Sequence, residues 1–195
     1  MGTRHLTAVY VDGEYKVAQY GQWDGYPEGQ GLTCLKFAWS VLANKADRAA
    51  FAEKVRACSW ITKDEQEKRN DLIKSGEVKN WSKVWPELSR DTGAEILAMI
   101  ASSESGLVLA NNIDFAADSL FCEWAWVIDL DAGTLEGFRG FNQALQLTEE
   151  DRFYFLLDKA EHGYLPVKLA AKWSLDELPG KDAFLAAFDT GEDAE

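Results

Sequence analysis

Two short turn signals, each lying between β-rich runs, constrain the fold of this chain more than any other feature. Asp12-Gly13 separates residues 6–11 from residues 15–20, and the turn at 131–134 separates the apolar run 121–130 from residues 135–139. Asp-Gly is a favoured pair in tight turns between antiparallel strands, because such turns need positive φ angles. The sequence therefore predicts two β-hairpins, both within one antiparallel sheet.

Helical patterns lie between and after these hairpins. Apolar spacings of three and four predict an amphipathic helix after residue 31, and its core face carries Leu32, Leu35, Trp39 and Leu42. Residues 47–75 are predicted to be a charged, helical outer layer. Its buried face carries Phe51, Val55 and Cys58.

Four pairs of polar residues at capping-box or related spacing predict helix starts. They are Thr62 with Glu65, Thr92 with Glu95, Thr148 with Asp151, and Ser174 with Glu177. Residues 167–173 alternate as a strand, and Ile96, Leu97 and Ile100 are expected to pack in the core. We expect an α+β fold in which helices cover an antiparallel sheet built from hairpins. It forms one domain over residues 1–188, followed by an acidic flexible tail over 189–195.

Charge and hydropathy exclude several classes of partner. The 195 residues include 33 acidic and 20 basic side chains, for a net charge of −13. Nucleic acid is therefore not an expected partner, because binding it depends on positive charge. No apolar run approaches the roughly 20 residues that span a bilayer, and no signal-peptide pattern opens the chain. With three unpaired cysteines as well, these features predict a cytoplasmic protein that binds no membrane.

The most informative segment is the glycine loop, residues 21–31, which reads GQWDGYPEGQG. Four glycines and a proline are expected to break any regular element. Aromatic rings beside amides and carboxylates suit a planar or hydroxylated ligand. The first hairpin is expected to bring two further polar residues near this loop. The candidate ligand-binding residues are Arg4, His5, Gln22, Trp23, Asp24, Tyr26, Glu28 and Gln30. In the alternative interpretation, Trp23 and Tyr26 plug the loop onto the core and Asp24 bonds its own turn.

Other motifs support simpler interpretations. Gly29-Gln30-Gly31 lacks the remaining residues of a dinucleotide fingerprint or a P-loop, so turn geometry explains it better. Asp129-Leu130-Asp131 is similar to a phosphatase D-x-D motif, but Gly133 stands where that motif has Thr or Val. A hairpin turn is the better interpretation of these aspartates. The two histidines form no cluster with metal-ligand spacing, so neither a metal site nor a cofactor is predicted.

Several segments carry a resemblance to a known family. They are TRHL from residue 3, DGEYKVAQYGQWDGYPEGQG over 12–31, SRDTGAEIL over 89–97, and FCEWAWVIDLD over 121–131. In these segments the chain resembles an uncharacterised family found in phage, bacterial and fungal genomes. The resemblance implies a lineage and no activity.

Three functional hypotheses follow. The leading one is a non-enzymatic binding or interaction protein, an accessory protein of phage or prokaryotic origin, whose glycine loop recognises a small molecule or a protein partner. The second is an N-terminal-nucleophile amide hydrolase, in which Thr3 becomes the nucleophile after cleavage beyond Met1. The third is an acidic decoy for a basic or DNA-binding protein.

Overall fold

The computed structural model describes residues 2–189, so the predicted acidic tail lies outside the described residues except for Asp189. The strands within this range are β1 (His5–Val11), β2 (Glu14–Gly21), β3 (Ser59–Trp60), β4 (Val108–Leu109), β5 (Trp124–Asp129), β6 (Thr134–Arg139) and β7 (Lys168–Ser174). The α-helices are α1 (Leu32–Phe37), α2 (Lys45–Arg56), α3 (Lys63–Lys74), α4 (Trp81–Val84), α5 (Ile96–Ser102) and α6 (Lys181–Ala186).

Both predicted hairpins are confirmed, and they lie in one five-stranded sheet of order β2-β1-β5-β6-β7. β1 pairs antiparallel with β2, and β5 pairs antiparallel with β6. Asp12 and Gly13 have φ angles of 54° and 79°, as a turn of this kind requires. The sheet is mixed rather than wholly antiparallel as predicted, because β1 and β5 run parallel with Leu6 opposite Ala125. A parallel pair needs a long crossover connection, and the helix-rich stretch between β2 and β5 provides it.

The two hairpin turns are also tied to each other. One carboxylate oxygen of Asp131 accepts a hydrogen bond from the backbone N–H of Asp12, and the other accepts one from Gly13, each at 2.9 Å. A carboxylate that accepts two backbone N–H groups is held in a charge-assisted geometry. The turn of the second hairpin thus fixes the position of the first.

Apolar side chains cover both faces of the sheet. Val9 and Val11 face a core formed with α1, α2, α5 and α6, where Phe51, Val55 and Cys58 are buried as predicted. Leu6 and Ala8 face a second core, covered by short turns and 3-10 segments that contribute Ala116, Phe153 and Leu156. The α+β class is therefore confirmed, with helices on one face and largely irregular chain on the other.

The helical predictions are only partly confirmed. Thr62 and Glu65 form the predicted capping box at the start of α3. The helix after residue 31 is present as α1 followed by a π-helical turn over Ala38–Leu42. Trp39 was wrongly placed on the core face, since it is 40% exposed. β3 separates α2 from α3, so the predicted helical region 47–75 consists of two helices.

Of the other three predicted helix starts, the one at Thr92 is confirmed in position and two are wrong. The 3-10 turn Gly93–Glu95 follows Thr92 directly and continues into α5, but the Thr92 hydroxyl donates to the Pro86 carbonyl instead of capping the helix. Asp151 accepts the Thr148 N–H in a turn, and a 3-10 segment follows at Tyr154–Lys159. Ser174 ends β7, and α6 begins after Gly180. Short polar motifs favour turns as readily as helix caps.

Candidate functional site

The glycine loop is anchored by backbone hydrogen bonds at the end of β2. The Gly25 N–H donates to the Thr3 carbonyl at 2.9 Å, and the Gly25 carbonyl accepts the buried Trp126 indole N–H at 2.9 Å. The Gln30 N–H donates to the Asp24 carbonyl at 2.8 Å. The expectation of a fully irregular loop is wrong for its second half, because Pro27–Gly31 forms a π-helical turn.

Two aromatic rings of this loop face solvent, which contradicts the interpretation that they plug the core. Trp23 is 47% exposed and Tyr26 is 39% exposed. The Trp23 indole N–H donates to Asp91 Oδ1 at 2.9 Å, and the Tyr26 hydroxyl donates to Asp24 Oδ1 at 3.3 Å. Gly2 lies against the indole, where a Cβ at that position would come within 2.3 Å of Cε3. Each ring is thus oriented by a carboxylate while much of its surface stays open.

Asp24 lies between Trp23 and Tyr26 in the sequence and has a left-handed conformation, with φ of 56°. Aspartate and asparagine adopt this region more readily than most residues. Its charge raises the pKa of the Tyr26 hydroxyl, and partial desolvation, their hydrogen bond and the exposed Glu28 act in the same direction. The loop surface is therefore aromatic and acidic.

The two glutamines of the loop are used mainly within the protein. Gln22 Oε1 accepts the Tyr20 hydroxyl at 2.7 Å. Gln30 Oε1 accepts the Ala94 N–H at 2.9 Å, and Gln30 Nε2 donates to the Trp23 carbonyl at 3.3 Å. These amides hold the loop in shape, which leaves the aromatic rings and carboxylates as its open groups.

His5 and Arg4 do not join that open surface. His5 is fully buried, packed against the backbone of Gly21 and Gly25. Its ring nitrogens have no hydrogen-bond partner among the described residues. Burial lowers the pKa of His5 from 6.5 to about 4, and the nearby Thr3 backbone opposes this only in part. Arg4 lies over the Phe121 ring, 4.6 Å from its centroid. The burial of His5 contradicts its predicted role in direct ligand contact, whereas the role of Arg4, whose side chain is 22% exposed, stays a prediction.

A buried cluster of charged side chains lies at the end of the sheet opposite the glycine loop, and the sequence analysis did not predict it. Asp129 and Glu136 are 5% and 2% exposed. The Arg152 guanidinium donates to both carboxylates, at 2.5 Å to Glu136 Oε2. Lys172 adds an ion pair with Glu136 at 3.1 Å, and the Thr134 hydroxyl donates to the same carboxylate at 2.9 Å. We refer to Asp129, Glu136, Arg152 and Lys172 as the ion cluster.

Electrostatics within this cluster favour its charged state. Burial alone opposes a charge on Glu136, but hydrogen bonds and attraction from Arg152 outweigh it and lower the pKa of this carboxyl. Burial likewise opposes charge on Arg152, and its two carboxylate partners nevertheless raise its pKa. Two carboxylates within apolar strands were the only sequence signal for this cluster. No sequence pattern indicated Arg152 as their partner, because it lies 16 positions from Glu136 and 23 positions from Asp129.

Asp129 also completes the second hairpin. Its Oδ1 accepts the backbone N–H groups of Asp131 at 3.0 Å and Ala132 at 2.8 Å. This geometry supports the interpretation of the Asp-Leu-Asp sequence as a turn. Within residues 2–189 there is also no group of three or more side chains suited to holding a metal ion.

The cysteines and helices add two further facts. Cys34, Cys58 and Cys122 are free and buried, and burial raises the pKa of the Cys34 thiol to about 12. A thiol in this state is a poor nucleophile at neutral pH. Of the helices between residues 2 and 189, none combines the length and apolarity that crossing a bilayer requires.

Comparisons with protein-family models, curated proteins and solved structures found no significant match to this chain. The resemblance of its opening segment to a phage, bacterial and fungal family therefore stays a prediction.

Proposed function

We propose that the protein is a non-enzymatic binding protein whose glycine loop recognises a planar or hydroxylated small molecule, or such a group on a partner. One observation carries this proposal. Trp23 and Tyr26 are 47% and 39% exposed, yet carboxylates fix the polar atom of each ring.

Fixed and exposed aromatic rings suit recognition for an energetic reason. A mobile side chain that is ordered on binding costs about 0.5 to 1.5 kcal/mol, and rings that are already ordered avoid much of that cost. Their faces stack on planar or weakly polar ligand surfaces, while carboxylates accept hydrogen bonds from ligand hydroxyl or amino groups. Asp24, Glu28 and Asp91 supply such acceptors around the rings.

The test follows the indole N–H signals in NMR spectra while adenosine and maltotriose are added as planar and hydroxylated probes. We expect one of them to shift the Trp23 signal in a saturable way, and Trp23→Ala to abolish that binding. Trp39→Ala is the matched control, because Trp39 is 40% exposed and lies outside the loop. If neither probe binds, or if both variants weaken binding equally, the proposal fails.

Asp24→Asn separates recognition from folding. Asparagine tolerates the left-handed backbone of Asp24, so we expect a melting temperature close to that of the wild type. Binding of the probe should weaken by about 1 to 3 kcal/mol, the usual effect of losing a charged hydrogen bond. A large loss of thermal stability would assign Asp24 to the turn and contradict a recognition role.

A second proposal, the N-terminal-nucleophile hydrolase, has one observation in its favour. The Thr3 carbonyl accepts a hydrogen bond from Gly25, so the start of the chain lies against the glycine loop. This chemistry requires Thr3 to become the N-terminal residue, because its own α-amine would act as the base. Intact mass measurement decides the matter. Loss of both Met1 and Gly2 would favour the hydrolase, and their retention would favour the binding protein.

A further inference from the structure

A cleft of about 430 Å³ lies over the sheet beside the ion cluster, at the end of the sheet opposite the glycine loop. This volume falls within the usual range for small-molecule sites. Four of its lining residues are aromatic: Tyr10, Tyr15, Phe138 and Phe155. Phe155 is 53% exposed, so its ring is open to solvent at the cleft rim.

The charges that line the cleft are unbalanced. Five carboxylates line it, from Asp129, Glu136, Glu149, Glu150 and Asp151, against two cationic side chains, from Arg152 and Lys172. Both cations already pair with carboxylates of the ion cluster, and Asp151 pairs with Lys168 at 2.6 Å. Glu149 and Glu150 are exposed and form no ion pair within the described part of the chain. Two uncompensated negative charges therefore stand at the mouth of the cleft.

The deep wall adds an unsatisfied polar group. The Tyr15 hydroxyl is buried without a hydrogen-bond partner among residues 2–189. Burial raises the pKa of Tyr15 to about 12, although the charge of the nearby Arg152 guanidinium and hydrogen bonding to it oppose this. The phenol therefore stays protonated and uncharged at neutral pH.

The aromatic rings that line the cleft also favour a positively charged ligand. The Arg152 guanidinium already lies over the Tyr10 ring, 5.2 Å from its centroid. Cations are attracted to the faces of aromatic rings, and the exposed Phe155 ring offers a further face at the rim. An anion, by contrast, would approach Glu149 and Glu150 without an unpaired cation to receive it.

We propose that this cleft binds an organic cation, an amine or guanidinium group on a short hydrocarbon stem. The charged head lies between Glu149 and Glu150, and the stem packs on Phe155. The cation is either a free small molecule or a basic side chain presented by a peptide.

The test titrates the full chain with agmatine, with the peptide acetyl-Gly-Arg-Gly-amide, and with glutarate as an anion of similar length, at low salt. Binding is followed by NMR signals of aromatic rings and by calorimetry. We expect saturable binding of at least one cationic probe and none of glutarate. Preference for agmatine identifies a free small molecule as the source, and preference for the peptide identifies a basic side chain. Absence of saturable binding by both cationic probes would overturn the proposal.

Variants at exposed positions locate the site without threatening the fold. Glu149→Gln with Glu150→Gln should weaken binding about tenfold, since two exposed ion pairs together contribute on the order of 1 to 2 kcal/mol. Phe155→Ala should weaken it further, because it removes the apolar ring surface on which the hydrocarbon stem packs. The matched control is Asp64→Asn with Glu67→Gln, which removes two exposed charges from α3. If this control weakens binding as much as the cleft variant, attraction to the acidic surface as a whole explains the result and the site is refuted.

Discussion

His5 makes the stability of this protein depend on pH in a way that can be measured directly. Burial lowers the pKa of His5 to about 4 in the folded chain, against 6.5 for an ordinary histidine. Between these values the unfolded chain takes up a proton that the folded chain does not. The contribution of neutral His5 is therefore present above pH 6.5, is lost as pH falls towards 4, and is absent below it.

The size of this loss follows from the same two values. Each tenfold difference in proton affinity is worth about 1.4 kcal/mol, so the loss between pH 6.5 and pH 4 is about 3 kcal/mol. That is a large part of the roughly 5 to 15 kcal/mol by which domains are stable. The nearby Thr3 backbone favours the protonated ring, but it offsets the effect of burial only in part.

The assay measures free energies of unfolding by urea titration at pH 7, 5.5 and 4.5 for the wild type and His5→Leu. Carboxylates such as Glu136 titrate in both proteins, so the difference between them isolates His5. We expect the free energy of unfolding of the wild type, minus that of His5→Leu, to decrease steadily as pH falls. His162→Gln is the control, because His162 is the other histidine and its side chain is 52% exposed. Parallel pH profiles for the wild type and His5→Leu would refute the reasoning.

Three further predictions address the ion cluster, the glycine loop and the net charge. Arg152→Met should destabilise the protein by roughly 3 to 5 kcal/mol in urea denaturation, because it leaves the buried Asp129 without an ion pair and Glu136 with Lys172 alone; a loss below about 1 kcal/mol would contradict the burial of this cluster. Gly21→Ala should cost about 1 to 3 kcal/mol, since its Cβ would lie 2.0 Å from His5 Cε1. Gly180→Ala, where nothing lies within 4 Å of the added Cβ, should melt closer to the wild type, and equal losses would count against the steric argument. Finally, the protein should not bind duplex DNA at physiological salt. A micromolar complex in a mobility-shift assay would contradict the prediction, drawn from net charge, that nucleic acid is not a partner.

Local sequence determined the features whose physical cause lies within a few residues. Asp12-Gly13 specifies a tight hairpin turn, because its two residues accept positive φ. Thr62 and Glu65 specify the start of α3, because each satisfies a backbone N–H group of the other's turn. The glycine loop was recognised as a special segment for the same reason, since its composition disfavours a strand or a long helix.

Only the tertiary structure decided how these local pieces meet. The parallel pairing of β1 with β5 joins segments more than 100 residues apart, and no turn signal encodes it. The same is true of the ion cluster, where Arg152 comes from a separate segment to pair with two strand carboxylates. Exposure followed the same rule. Its spacing predicted that Trp39 lies in the core, and His5 was predicted to be accessible, but Trp39 is exposed and His5 is buried. Burial depends on which distant parts of the chain cover a side chain, so no short motif determines it.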